Sequence, residues 1–245
     1  MSNHDDEYVA LLDDFKAFLQ ERTPESYDRV RRSIAESDLY EPNCPAMAEA
    51  LMAEENGNLE EMARCVQRSF PTFLLSPQAH MLLATYYDAV GNTEMCQFEC
   101  EVHELCARFL METGDGTQER PYRIMNSSDE YDIMMMSLIM QRLSQGKQLE
   151  PENPEEIIPN VVDTRLEQPK DGGVCEIITL DDGSEWWFDI QDILARSPAC
   201  EEEDPLAQEA IIRLAESMGI DIEDKELFRT LGFGEDGETQ DEDDI

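Results

Sequence analysis

The sequence predicts a mainly α-helical protein with a small α+β part. Three observations carry that expectation. Over residues 6–111 apolar residues recur at helical spacing. The dipeptide Gly57-Asn58 returns 34 residues later as Gly91-Asn92, each time between two helical patterns. Residues 174–190 hold the strongest β-hairpin signal, with apolar runs on either side of Asp181-Asp182-Gly183-Ser184.

In chain order, Val9, Leu12, Phe15 and Leu19 define a helical face over residues 6–21. Thr23 then caps a second helix, with Pro24 in its first turn. Tyr27, Val30, Ile34 and Leu39 form its apolar face. Pro42 and Pro45 interrupt the pattern, and a helix over 46–55 turns Met47, Ala50 and Leu51 inward. After the Gly57-Asn58 turn comes a helix carrying Leu59, Met62, Ala63 and Val66. The next helix, 79–90, carries Met81, Leu82, Ala84, Tyr86 and Tyr87. Beyond Gly91-Asn92 a helix with Cys96, Cys100, His103 and Ala107 ends near Met111. Glycine supplies the positive φ that each inter-helix turn needs, and asparagine either tolerates that conformation or caps the next helix.

These hairpins resemble tetratricopeptide-like repeats. Ala50 and Ala84 match the small eighth position, Tyr87 the aromatic eleventh, and Gly57 and Gly91 the turn. Ala53 stands where that aromatic is expected in the first unit, and Met62 and Cys96 replace the usual alanine after the turn. The match is clearest over 45–111 and extends to residue 6 as a degenerate capping hairpin. It implies a helical-repeat domain over 1–111 with a concave face for a protein partner.

At Glu112-Thr113-Gly114-Asp115-Gly116 the character changes. Pro121–Met125 reads as a short strand, and Ser127 or Ser128 as the cap of a helix running to about Gln145. Four prolines within 148–171 predict mostly loop, with Ile157-Ile158 and Val161-Val162 as anchors or a short strand. The hairpin comes next, then a helix over 191–196. The second half resembles an uncharacterised bacterial domain family. The likeness rests on Gly114-Asp115-Gly116, Pro121-Tyr122, Asp129-Glu130-Tyr131 and Trp187-Phe188-Asp189-Ile190. It covers about 112–195 and implies an architecture but no activity. A small α+β domain over 112–197 is therefore expected, then a helical C-terminal extension over 198–234. A disordered acidic tail is expected over 235–245.

The 245 residues carry 57 Asp plus Glu against 18 Lys plus Arg, a net charge of −39. Residues 1–113 contribute −14 and residues 114–245 contribute −25. That field makes nucleic acid and anionic membranes poor partners. It attracts basic proteins and divalent cations. With only four lysines, it equally suits solubility in a salty setting. The acidic start, the want of an apolar span and seven cysteines without framework spacing predict a reduced, cytoplasmic home.

Candidate chemistry is sparse. Cys96, Cys100 and His103 share one helix face and are the best metal-ligand candidates, but one helix seldom supplies more than two ligands to a tetrahedral ion. Gly114–Thr117 lacks the ending of a phosphate loop, and neither acidic run has EF-hand spacing, so no cofactor is expected. Asp189 reads most simply as a helix cap. The methionines of Met134-Met135-Met136 suit core packing.

The tetratricopeptide register implies concave positions at Cys44, Met47, Leu51, Glu54 and Glu55, then Gln78, Met81, Thr85, Asp88 and Ala89. The Lys and Asn that clamp acidic peptide tails in that family are missing there. The expected partner is a basic or amphipathic protein segment, anchored on Met47, Leu51 and Met81 and attracted by Glu54, Glu55 and Asp88. The expected function is a non-catalytic adaptor or assembly-chaperone-like module. Two alternatives are an acidic nucleic-acid mimic and an enzyme using Asp129, Glu130 or Asp189 between the two halves.

Overall fold

A computed structural model describes residues 3–146, 160–169 and 173–196, with side chains from residue 8 onward. The extension and tail expected over 198–245 lie outside the described residues, as does Ile157-Ile158. Among the described residues the chain is mainly helical, with eight helices and one four-stranded sheet. The helices are α1 Asn3–Glu21, α2 Pro24–Glu36, α3 Ala46–Glu55, α4 Leu59–Arg68, α5 Pro77–Ala89, α6 Thr93–Glu112, α7 Ser127–Ser144 and α8 Gln191–Arg196. The strands are β1 Tyr122–Arg123, β2 Val161–Glu167, β3 Cys175–Leu180 and β4 Glu185–Asp189.

The 34-residue echo is one turn built twice. Gly57 N–H donates to Glu54 O at 2.8 Å and Asn58 N–H to Ala53 O at 2.8 Å. Gly91 and Asn92 repeat the pair on Asp88 and Tyr87 at 3.0 and 2.8 Å. This is the Schellman closure of α3 and α5, with both glycines near φ +72°. Each asparagine then accepts from the third residue of the next helix, Glu61 or Met95, at 3.3 and 3.2 Å. Thr23 caps α2 reciprocally with Ser26.

Helices α1 and α2, α3 and α4, and α5 and α6 pair as hairpins. They do not stack in chain order. One core joins Phe15 and Phe18 of α1, Tyr27, Val30 and Ile34 of α2, and Val102, Cys106 and Phe109 of α6. A second joins α3, α4 and α5 through Met47, Ala50, Met62, Val66, Ala79 and Leu82. The first hairpin thus packs on the third, and the third lies between the other two. Aromatic rings drive this arrangement: Phe18 meets Tyr27 at 5.6 Å and Phe109 at 5.5 Å between centroids. That placement rotates α1 from the expected face. Leu11, Phe15 and Phe18 are buried, whereas Val9 is 53% exposed.

The sheet order is β1-β4-β3-β2, with β1 parallel to β4 and the other pairs antiparallel. Helix α7 covers one face, where Ile133 and Met134 share a core with Ile178, Leu180 and Phe188. The mostly-loop expectation for 148–171 needs correction in its described part, since Val161–Glu167 is a seven-residue strand. Both of its faces are largely exposed, so no hydrophobic alternation marks it in the sequence.

The described residues form one compact unit. Met125 enters the first helical core and Leu110 enters the sheet core. The Tyr40 hydroxyl donates to Met125 O, and Arg31 pairs with Asp192 of α8. The boundary expected at 111/112 therefore separates two kinds of element within one unit. Among the described residues no helix is long and apolar enough to cross a membrane.

Candidate binding cavity

Helix α5 begins at Ser76, whose hydroxyl accepts the Ala79 N–H at 3.3 Å, followed by Pro77 in the first turn. Asp132 of α7 takes the next exposed donor, accepting the Gln78 N–H at 3.3 Å. That contact brings the start of α7 beside the start of α5. Between them and α3 lies a cavity of about 420 Å³. Its apolar wall is Cys44, Met47, Leu51 and Phe73. Its polar wall is Asn43, Gln78 and the turn Asn126-Ser127-Ser128.

Four of the sequence-derived groove positions meet here: Cys44, Met47, Leu51 and Gln78. Met47 is 4% exposed, so it forms floor as well as core. Glu54 and Glu55 follow one turn later on α3, half-buried and exposed. Met81, Thr85 and Asp88 do not line the cavity. They run along the outward stripe of α5, where Met81 is 42% exposed and the Thr85 hydroxyl donates to Met81 O at 3.1 Å. The sequence reading missed Phe73 and Asn126–Ser128. The serines read locally as a helix cap, and nothing local says which hairpin that cap approaches.

A cluster of acids begins one residue beyond the cavity wall. Asp129 Oδ2 accepts from Met125 N at 2.8 Å and Asn126 N at 3.3 Å. Burial nevertheless pushes its carboxyl up to about 6. Burial, and then the Asp129 charge, push Asp132 up to about 7 against the pull of the Gln78 N–H. Glu130 is raised by burial and by Glu176 of β3, and its Oε1 is buried without a hydrogen-bond partner. Neither Asp129, Glu130 nor Asp132 lines the cavity. Asp189 accepts the Gln191 N–H at 3.1 Å, ahead of α8.

The cysteine–histidine face of α6 is differently employed. His103 Nδ1 lies 2.9 Å from Pro77 O, a carbonyl that only accepts, so that nitrogen carries a proton. Cys96 is raised by desolvation and then by Cys100. Among the described residues no three His, Cys, Asp or Glu side chains are placed to hold a metal ion.

Compared with known proteins, the chain matches no family model, no curated protein and no solved structure.

Proposed function

We propose that this protein is a non-catalytic protein-interaction module, adaptor or assembly-chaperone-like in role, with tetratricopeptide-like hairpins as its scaffold. Its cavity between α3, α5 and α7 receives an apolar side chain from a basic or amphipathic protein segment. The observation that carries this reading is the meeting of Cys44, Met47, Leu51 and Gln78 in one cavity of about 420 Å³. That volume suits an anchor side chain and its neighbours. The chemistry around it favours a cationic flank. The cavity wall carries no Lys or Arg, Glu54 and Glu55 stand one turn away, and the whole chain carries −39. The start of α7 by itself would attract an anion. Asp129 adds a carboxylate in that first turn, where it accepts from the Met125 and Asn126 N–H groups just ahead of the helix. An acidic peptide is therefore disfavoured.

The carboxylate-enzyme reading lacks the same support, since the raised acids stand outside the cavity wall. The reading is tested with fluorescent peptides of one apolar residue flanked by Lys and Arg, and with acidic counterparts. Leu51→Lys is expected to weaken the basic peptide at least about tenfold. Glu54→Gln with Glu55→Gln and Asp88→Asn is expected to remove most of its salt dependence. Basic peptides that bind equally to all variants, or acidic peptides that bind better, would sink the reading.

A further inference from the structure

Strand β2 ends the sheet, with β3 on one side and, among the described residues, no strand on the other. An open edge is normally guarded by charged side chains, lysine above all, by proline, by brevity or by distortion. β2 has seven residues and neither Lys nor Pro; its charges, Asp163, Arg165 and Glu167, are of both signs, and it is irregular only between Val161 and Asp163. It also keeps large apolar side chains in solvent: Val161 is 46% exposed, Val162 59% and Leu166 60%. Among the described residues no other strand has its side chains so exposed along its whole length.

The strand is complementary to itself. Lay a second copy antiparallel with the twofold axis through Thr164. Asp163 then faces Arg165 of the second copy, and Arg165 faces its Asp163. On the opposite face Thr164 meets Thr164, and Leu166 of each copy lies against the irregular stretch at Val162 of the other. The neighbouring twofold registers fail on charge: centring on Asp163 sets acid against acid, and centring on Arg165 sets base against base. From Asp163 to Glu167 the two faces also stay in phase with the sheet, the register shift leaving only Val161 and Val162 outside it. Thr164 and Leu166 are the cross-strand partners of Ile178 and Glu176, whereas Asp163 and Arg165 partner Thr179 and Ile177. We infer that β2 is a self-pairing edge through which two copies of this chain join into one continuous sheet.

Arg165 is held ready for this role. Its guanidinium lies 2.8 Å from Glu185 and 3.2 Å from Glu167, while Asp163 stands at 3.9 Å. Opposing the pairing is a charge of −39 on each copy. That repulsion is long-ranged and salt-screened, whereas backbone pairing and apolar contacts are not. A single strand pair also falls below the roughly 1,200 Å² of a standard interface, so the dimer is weak and tightens as salt rises.

Sedimentation equilibrium of the full chain, at about 0.05 M and about 1 M sodium chloride, tests the inference. The expected result is a monomer–dimer equilibrium with the smaller dissociation constant in high salt. Leu166→Lys is expected to raise that constant at least about tenfold. Asp163→Arg and Arg165→Asp each set like charges opposite in the self-pair and are expected to stay monomeric. Mixed together they restore both opposite-charge pairs and are expected to form a heterodimer. Circular dichroism of each variant separates lost pairing from lost fold, because all three side chains are at the surface. A monomer at both salt concentrations overturns the inference, even where the edge takes a strand from a different protein. So does an unchanged constant for Leu166→Lys, or a mixture that stays monomeric.

Discussion

His80 Nδ1 lies 2.7 Å from Glu99 Oε2, with both side chains buried between α5 and α6. Its other ring nitrogen is 3.0 Å from Leu74 O and must donate there. The Nδ1–Oε2 contact ties the imidazole to the carboxyl in one buried hydrogen bond. The ring also stacks on Phe15 of α1 at 6.2 Å and approaches Phe70 at 6.0 Å. One polar pair thus stands where all three hairpins converge. Removing one partner strands the other in the interior. His80→Leu or Glu99→Leu is expected to cost about 3 to 5 kcal/mol in urea unfolding. The double change to leucine is expected to recover much of that loss, and additive losses in the cycle would refute the coupling.

The acids at the start of α7 make stability depend on pH. Asp129 and Asp132 are pushed up to about 6 and about 7, above the ordinary carboxylate value near 4. The folded state therefore binds more protons than the unfolded state between those values. Their favourable contribution is complete below pH about 4 and is lost as pH rises through about 6 and 7. For Asp129 alone the change is on the order of 3 kcal/mol. The melting temperature is expected to fall between pH 5.5 and pH 8, and Asp132→Asn to flatten that slope while keeping an acceptor for the Gln78 N–H. A parallel slope in the variant would count against Asp132 as a source.

Two glycines are required for different reasons. A Cβ on Gly114 would lie 2.7 Å from Arg120 O and closer still to Pro121 O, both backbone atoms. A Cβ on Gly57 meets nothing within 4 Å, but its φ of +72° disfavours any other side chain. Gly114→Ala is expected to lose at least about 2 kcal/mol, and Gly57→Ala about 1 kcal/mol. Chemical denaturation reads both, and the reverse ranking would contradict the close approach at Gly114.

Helix α8 is held by arginines. The Arg31 side chain is 11% exposed and bridges Asp28 of α2 and Asp192 of α8. Arg196 returns the contact, donating to Glu36 O at 2.7 Å and Ala35 O at 3.2 Å. Arg31→Met keeps the stem and removes the charge. Amide exchange of residues 191–196 is then expected to speed up at least about tenfold, with that of α5 unchanged. Equal acceleration in both would mean global loss of stability instead.

The helices were legible wherever local chemistry suffices. Thr23, Asn58 and Asn92 cap where their sequence places them, and Gly57 and Gly91 close the two turns. The β3–β4 hairpin announced itself by apolar runs on either side of Asp181–Ser184. β2 was legible only as the anchor or short strand expected at Val161-Val162, because neither of its faces is buried and alternation is a signature of burial. Part of the cavity wall was legible through the expected tetratricopeptide register, which named Cys44 just ahead of α3 and Met47 and Leu51 on it. Asn126–Ser128 was not, since its place depends on how α7 meets α5.

By itself the sequence determined the kind of protein: mainly helical, strongly acidic, three hairpins and then a small sheet. Those features come from spacing, caps and turns, whose interactions reach only a few residues. Only the tertiary structure decided that the first hairpin packs on the third, that the two halves share one unit, and that His80 and Glu99 meet inside it. Such outcomes depend on which apolar faces fit best once all are present. Phe18 settling between Tyr27 and Phe109 is a choice among partners far apart in the chain, and no local pattern encodes it.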